Sequence, residues 1–429
     1  MGECDVVVVG AGVAGLAAAR TLQAAGRTVV VLEASKRIGG RAWTTYPSAL
    51  GGAWFDMGAV WLHAAEQNPL VPIAEAAGDV LLRADTMRTE KTFVGDRPAT
   101  AAELADYQAA WDRFAAKADE LLRPGIPDAT LAEVARRLPD DPWALTVETW
   151  EGPVICAADA DAMSLRDWKA NVLTGSNLVP EGGVGAFVAR RLGEGLKIRL
   201  AKPVRRVRWE GPRGTPVAVE TEGGTLRAAR CIVTVSTGVL AAGTIAFEPK
   251  LPASVVASID ALPMGLAVKV VLVARDGDKL DLPAHCSLDR RVERSGEPTM
   301  VFQCWPYGRD YVQGWIGGRA ASSLAREGDE AVAAFARASL RGMFGERVDR
   351  LFEPLPALVT HWDADPWVRG AYCYARPGHA GARTALAQPL AGGRLVFAGE
   401  ACHQGLAGTL GGAWGSGLRA AHLVLEREG

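Results

Sequence analysis

The sequence predicts an α/β chain: a discontinuous, Rossmann-like dinucleotide-binding domain into which an α+β domain is inserted. Two observations carry that expectation. Asp5 to Arg41, DVVVVGAGVAGLAAARTLQAAGRTVVVLEASKRIGGR, places strand, glycine turn, helix, strand and terminal acid in order within about 30 residues. Further along, short β segments return after a long helical stretch, and a last apolar strand and glycine-rich helix close the chain.

Val6 to Val9 is an apolar, β-branched run with the length of one buried parallel strand. Gly10, Gly12 and Gly15 follow at G-x-G-x-x-G spacing. Gly10 permits the tight turn, Gly12 lets backbone approach a pyrophosphate, and Gly15 lets the helix pack on the strand. That helix begins near Val13 and Ala14 and offers free N–H groups and its positive dipole end to phosphates. Thr28 to Leu32 is the second strand, ending at Glu33 and Ala34, where the carboxylate suits a ribose hydroxyl. In Gly39-Gly40-Arg41 two glycines allow close backbone approach, and the arginine fork suits phosphate oxygens. The next stretch, GGAWFDMGAVWLHAAEQNPL, is dense in glycine and aromatics, as befits a loop against a large flat ligand.

The length of 429 residues implies two or three domains. Hydrophobic content of 49% and charged content of 22% are globular values. A net charge of −2 supplies no basic field, so neither nucleic acid nor an anionic membrane is an expected partner. The seven cysteines are scattered with no C-x-x-C pair, the pattern of reduced thiols in a cytoplasmic protein. The first strand starts almost at once, leaving no room for a signal peptide, and no run approaches about 18 uninterrupted apolar residues.

From 68 to 177 the pattern turns helical. Leu104, Tyr107, Trp111, Phe114, Ala118 and Leu121 form an amphipathic stripe, read as core, and Thr130 and Ser164 are expected N-caps. EGGVGAFVARRL is a glycine-led helix. Short strands follow at Lys197–Leu200, Val204–Trp209, Pro216–Thr221 and Cys231–Val235, rejoining the first domain. In LPMGLAVKVVLVA a strand over Ala267–Val273 puts Lys269 among apolar neighbours on both faces, and burial favours a neutral lysine. Strands at Val301–Trp305 and Tyr311–Gly317, a helix at Asp329–Phe344 and a strand at Leu395–Ala398 complete the reading. Cys402 and His403 lack further ligands at metal-binding spacing, so no metal is expected.

G-A-G-V-A-G-L, E-A-S-K-R-I-G-G-R and D-M-G-A-V-W-L-H together resemble the flavin-containing amine oxidase family, and HWDADPWVRGAY resembles its W-x-x-D-P-W-x-x-G-x-Y segment. The resemblance implies an FAD-binding domain at 1–67, 178–245 and 386–429, and a substrate-binding domain with a helical part at 68–177 and a mixed-sheet part at 246–385. It places Arg41 at the FAD pyrophosphate, Val204 at the adenine and Gly58, Ala59, Val60 and Trp61 along the isoalloxazine. Gly399 and Glu400 go to the ribityl region, and Gly408, Thr409 and Leu410 to a helix start against the flavin. Lys269 would hold a water at flavin N5, Trp367 would pack on the flavin, and Tyr372 would wall an aromatic cage for a cationic amine. His63 falls at the substrate tunnel, or is a packed structural residue.

Three departures stand out. Val235–Leu240 reads V-S-T-G-V-L where many relatives have a proline. Ala371 replaces the flavin-linked cysteine, which implies noncovalent FAD, and Thr409 replaces the second cage tyrosine of monoamine oxidases. The implied reaction is oxidation of an amine C–N bond to an imine, on a polyamine or monoamine, with dioxygen as acceptor. An L-amino-acid oxidase would need an arginine clamp, for which Arg83, Arg88, Arg166 and Arg319 are open candidates. A carotenoid or porphyrinogen desaturase would need a long apolar tunnel, and a noncatalytic FAD-binding module would need neither.

Overall fold

The computed structural model describes residues 4–211, 215–275 and 277–426; residues 1–3 and 427–429 of the expected domain ends lie outside it. Among the described residues two large sheets organise the chain, one of eight strands and one of seven.

In the first sheet Cys4–Val9 is central, parallel to Val29–Leu32 on one side and to Gly224–Val233 on the other. Val6 and Val8 pack into one core with Leu16, Leu410 and Trp414; Val7 and Val9 pack into another with Val207, Val219 and Phe397. Apolar layers on both faces explain why the run is continuously β-branched instead of alternating. Ile198–Arg199 extends the sheet beyond Val29–Leu32, and Leu395–Phe397 pairs parallel with the far end of Gly224–Val233. The helices Val13–Ala24 and Leu410–Leu425 pack together because Gly417 has no side chain: a Cβ there would lie 2.2 Å from the Ala14 carbonyl. Ala246–Glu248 pairs with Val204–Arg208, and Val255, Ile259, Cys373 and Ala382 join the same core, so this layer draws on chain well past residue 245.

In the second sheet Ala267–Val273 and Tyr311–Gly317 pair antiparallel over their full expected lengths, and Asp329–Phe344 covers one face. Residues 68–177 are not wholly helical. Thr89–Val94 pairs parallel with Cys286–Arg290 and draws this segment into the sheet, since its alternating burial is satisfied only by a distant strand. The amphipathic helix spans Ala101–Leu121 and opens with a Thr100–Glu103 capping box; Leu104 of its stripe is exposed.

Ser164 caps Leu165–Ala170 by accepting from Asp167 N. Thr130 caps nothing: its hydroxyl is buried without a hydrogen-bond partner, because the next helix starts at Ala132 from a Leu131 that is itself helical. Ser236, in the V-S-T-G-V-L departure, caps Thr237–Ala241 by accepting from Val239 N at 3.2 Å and donates to the Val368 carbonyl at 2.5 Å. A hydroxyl thus does by hydrogen bonding what a proline does by ring geometry. Ser236→Ala is expected to cost about 1–2 kcal/mol, read as a lower urea midpoint of the flavin-loaded protein. An unchanged midpoint would remove this account of the substitution.

Candidate active site

One cavity of about 850 Å³ runs from the glycine turn to the second sheet. Every residue singled out in the sequence as touching cofactor or substrate lines it except Gly15. Gly15 lies behind the turn, where a Cβ would meet the Gly10 carbonyl at 2.0 Å, so it shapes the turn without facing the cavity.

At one end Gly10 adopts φ +103°, and a Cβ on Gly12 would meet nothing within 4 Å. The turn is therefore open to a ligand. Glu33 accepts from Ala11 N at 2.7 Å and Ser35 N at 2.8 Å, which fixes its carboxylate beside the turn. Arg41 donates to Glu400 at 2.9 Å and to the Ala371 carbonyl at 2.6 Å, tying the first domain's start to its end. Glu400 also accepts from Cys373 N and Gly408 N, each at 3.2 Å. Burial alone would raise its carboxyl, but the charges of Arg41 and Arg383 outweigh burial and hold it below the usual range. Thr409 spends its hydroxyl on the Leu406 carbonyl and on capping Gly412 N, so the helix from Leu410 presents its positive end to the cavity. A long trough with an open glycine turn, an arginine, and two helix starts fits FAD. Gly10, Gly12, Glu33, Arg41 and Val204 would hold its adenine half, and Gly58–Trp61, Glu400 and Gly408–Leu410 its flavin half.

Lys269 sits on the cavity wall with 1% exposure. Its Nζ donates to the Asp56 carbonyl at 2.7 Å and the Gly58 carbonyl at 2.6 Å, between the rings of Phe55 and Trp315. Burial pushes its ammonium down to about 8, and Asp56 opposes that shift. The Asp56 side chain caps the helix Val184–Leu192 through Val184 N and Gly185 N, which anchors the carbonyl that Lys269 uses. Snorkelling to solvent does not occur: the strand is internal, paired on both edges.

Tyr372 and Trp367 are half-buried and line the same cavity. Trp367 lies on the Arg205 side, 5.9 Å from that guanidinium. Trp362, the first tryptophan of the same motif, is the one beside Gly58 and donates to the Met57 carbonyl at 3.2 Å. Its place in the motif could have marked it. Trp315, opposite Lys269 in the sheet, carried no sequence signal, because only strand register brings the two together.

His63 shares a 2.7 Å hydrogen bond between Nδ1 and Asn177 Oδ1, and Asn177 in turn donates its amide N–H to Asp85 at 3.0 Å. The Asp85 contact orients the Asn177 amide, so His63 carries its proton on Nδ1 and leaves Nε2 as an acceptor. Burial keeps the ring neutral by lowering its pKa, with Asn177 opposing. Of the four arginines considered as carboxylate clamps, Arg88 alone lines the cavity, and it is paired with Glu90 at 3.0 Å. Arg83, Arg166 and Arg319 do not line it.

Residues 13–425 match the model of the flavin-containing amine oxidoreductase family. The chain belongs to that family and is an FAD-dependent oxidase by class. It is 30% identical to polyamine oxidase 2 of Arabidopsis thaliana, over 99% of this chain and 89% of that one. It is 28% identical to polyamine oxidase 4 of Oryza sativa subsp. japonica, with the same two shares. The solved structure of wild-type putrescine oxidase bound to putrescine has the same fold, with a TM-score of 0.77 at 20% identity and 99% of each chain covered. Among the described residues no helix is long and apolar enough to cross a membrane.

Proposed function

We propose that this protein oxidises the carbon next to a primary or secondary amine nitrogen, giving an imine that water hydrolyses, with FAD held noncovalently. The observation that carries this reading is Lys269, buried on the wall of a cavity whose other end is an open glycine turn. FAD supplies the redox chemistry, taking a hydride equivalent at N5 and passing the electrons to dioxygen as hydrogen peroxide. Lys269 has three N–H bonds; two are spent on Asp56 and Gly58, which leaves the third for a water in the cavity. Its positive charge disfavours a protonated amine nearby and so favours the neutral, oxidisable form. His63 Nε2 is an acceptor suited to a substrate N–H, which supports a role at the tunnel beyond packing. The faces of Tyr372 and the neighbouring tryptophans attract and orient the incoming amine. Ala371, 6% exposed against the cavity, carries no thiol to bond the flavin.

The test is an anaerobic flavin-bleaching screen with spermidine, spermine, aromatic monoamines, lysine and phenylalanine. Bleaching by an amine is the expected outcome. Bleaching by the amino acids alone would transfer the reading to an amino-acid oxidase using Arg88, and no bleaching by any of them would overturn it.

A further inference from the structure

The inner face of the second sheet carries two charges at opposite ends of one row. Lys269 pairs with Trp315, Trp315 pairs with Val301, and the register that pairs Phe302 with Leu288 sets Asp289 opposite Val301. All four line the cavity. Three inter-strand steps of about 4.8 Å put the Asp289 backbone roughly 14 Å from that of Lys269.

Asp289 is 7% exposed, and its Oδ2 accepts from Trp150 Nε1 at 2.9 Å and Tyr107 OH at 3.2 Å. These donors are neutral, and among the described residues Asp289 has no ion-pair partner. The nearby cations are committed elsewhere: Arg88 to Glu90 at 3.0 Å, Arg290 to Glu297 at 2.9 Å and Arg291 to Glu293 at 2.8 Å. A buried carboxyl without a countercharge is costly, and a cation in the cavity would relieve that cost. The walls suit one. Trp111, Trp150 and Tyr107 face the cavity around Asp289, and Tyr107 is stacked on Trp143 at 4.6 Å. Trp150 reaches Asp289 because it opens a π-helical turn, Trp150–Val154, that docks on the sheet where Gly317 has no side chain; a Cβ there would lie 1.7 Å from the Pro153 carbonyl.

We infer that Asp289 is the binding site for a second, protonated nitrogen of the substrate, so the substrate is a linear di- or polyamine and not a monoamine. This rests on the amine-oxidase reading. The two ends of the row ask for different protonation states: a neutral amine beside the Lys269 ammonium and a charged one beside the Asp289 carboxylate. Only a molecule with at least two nitrogens on a long flexible chain meets both demands.

The test compares Asp289→Asn and wild-type flavin-loaded enzyme with spermidine, spermine and n-decylamine. Binding is read from flavin difference spectra and, separately, the limiting rate of anaerobic flavin reduction is measured. Asp289→Asn keeps the shape and the hydrogen-bond acceptor but loses the charge. We expect its Kd for the two polyamines to rise about 30-fold, with decylamine binding and the limiting reduction rate little changed. Asp289→Glu should recover part of the affinity. Equal loss for polyamines and decylamine, or no loss for either, would overturn the assignment. If Asp289→Asn fails to retain flavin, Trp150→Phe, which removes one pin from Oδ2, must still weaken polyamine binding selectively. If wild-type enzyme binds polyamines through Asp289 without bleaching, the ammonium site stands and the oxidation reading falls.

Discussion

Replacing Lys269 by Met is expected to slow one or both flavin half-reactions by about 10²- to 10³-fold while FAD stays bound. Methionine has similar reach and no branch, so it can occupy the same channel between Phe55 and Trp315. The Asp56 and Gly58 carbonyls lose their donor, at about 1–3 kcal/mol each. That loss is offset by removing an ammonium that is costly to bury, so the variant should fold. What disappears is the charge and the remaining N–H aimed into the cavity.

The pH dependence gives a second readout. Burial brings the Lys269 ammonium to about 8, against 10.5 for an exposed lysine. The wild-type half-reaction that uses it should therefore inflect near pH 8, and the Met variant should not. Between those two pKa values the unfolded chain holds the proton that the folded chain has released, so wild-type stability should rise with pH through that window. In the Met variant that rise should be absent. Stopped-flow reduction and reoxidation across pH 6–10 would settle the matter; unchanged constants in both half-reactions would sink the assigned role.

Arg383→Met is expected to destabilise the protein by about 3–5 kcal/mol. Arg383 is 2% exposed and grips Asp167 with two parallel bonds, at 2.7 and 2.8 Å. It also donates to the Cys373 sulfur at 3.0 Å and the Cys373 carbonyl at 3.2 Å. Removing it strands the Asp167 carboxylate in the interior with Ala375 N and the Asn171 amide as its partners. The pair also joins the helix Leu165–Ala170 to the segment that donates to Glu400, so flavin affinity should weaken too. The double variant Asp167→Asn/Arg383→Met should recover much of the loss, because neither charge is then left alone. Urea unfolding of the flavin-loaded protein checks this; a loss below about 1 kcal/mol in the single variant would show that the pair contributes little.

Much of the architecture was legible. The glycine turn, Glu33, Gly40-Arg41 and the apolar strand at Ala267–Val273 are contiguous signals, each dictated by residues next to it in the chain. The helix from Leu410 and the strand at Leu395–Phe397 were equally plain. Thr89–Val94 was not, because a six-residue strand flanked by helices is stabilised by a partner nearly 200 residues away. Thr130 misled for a related reason: cap residues signal a helix start only when the backbone turns there, and tertiary packing moved the start to Ala132.

The sequence by itself determined the cofactor cradle, since a turn, a dipole and a ribose acceptor need only short spacing along one chain. It also marked Lys269 as a buried cation by its apolar neighbours. Only the tertiary structure decided what those groups face. The carbonyls that hold Lys269, the Asn177–Asp85 support of His63, the Arg383–Asp167 clamp and the Asp289 carboxyl at the far end of the row all depend on register between distant strands and loops. Hydrogen bonds and ion pairs act over a few ångströms, and proximity of that kind is set by packing and not by order along the chain.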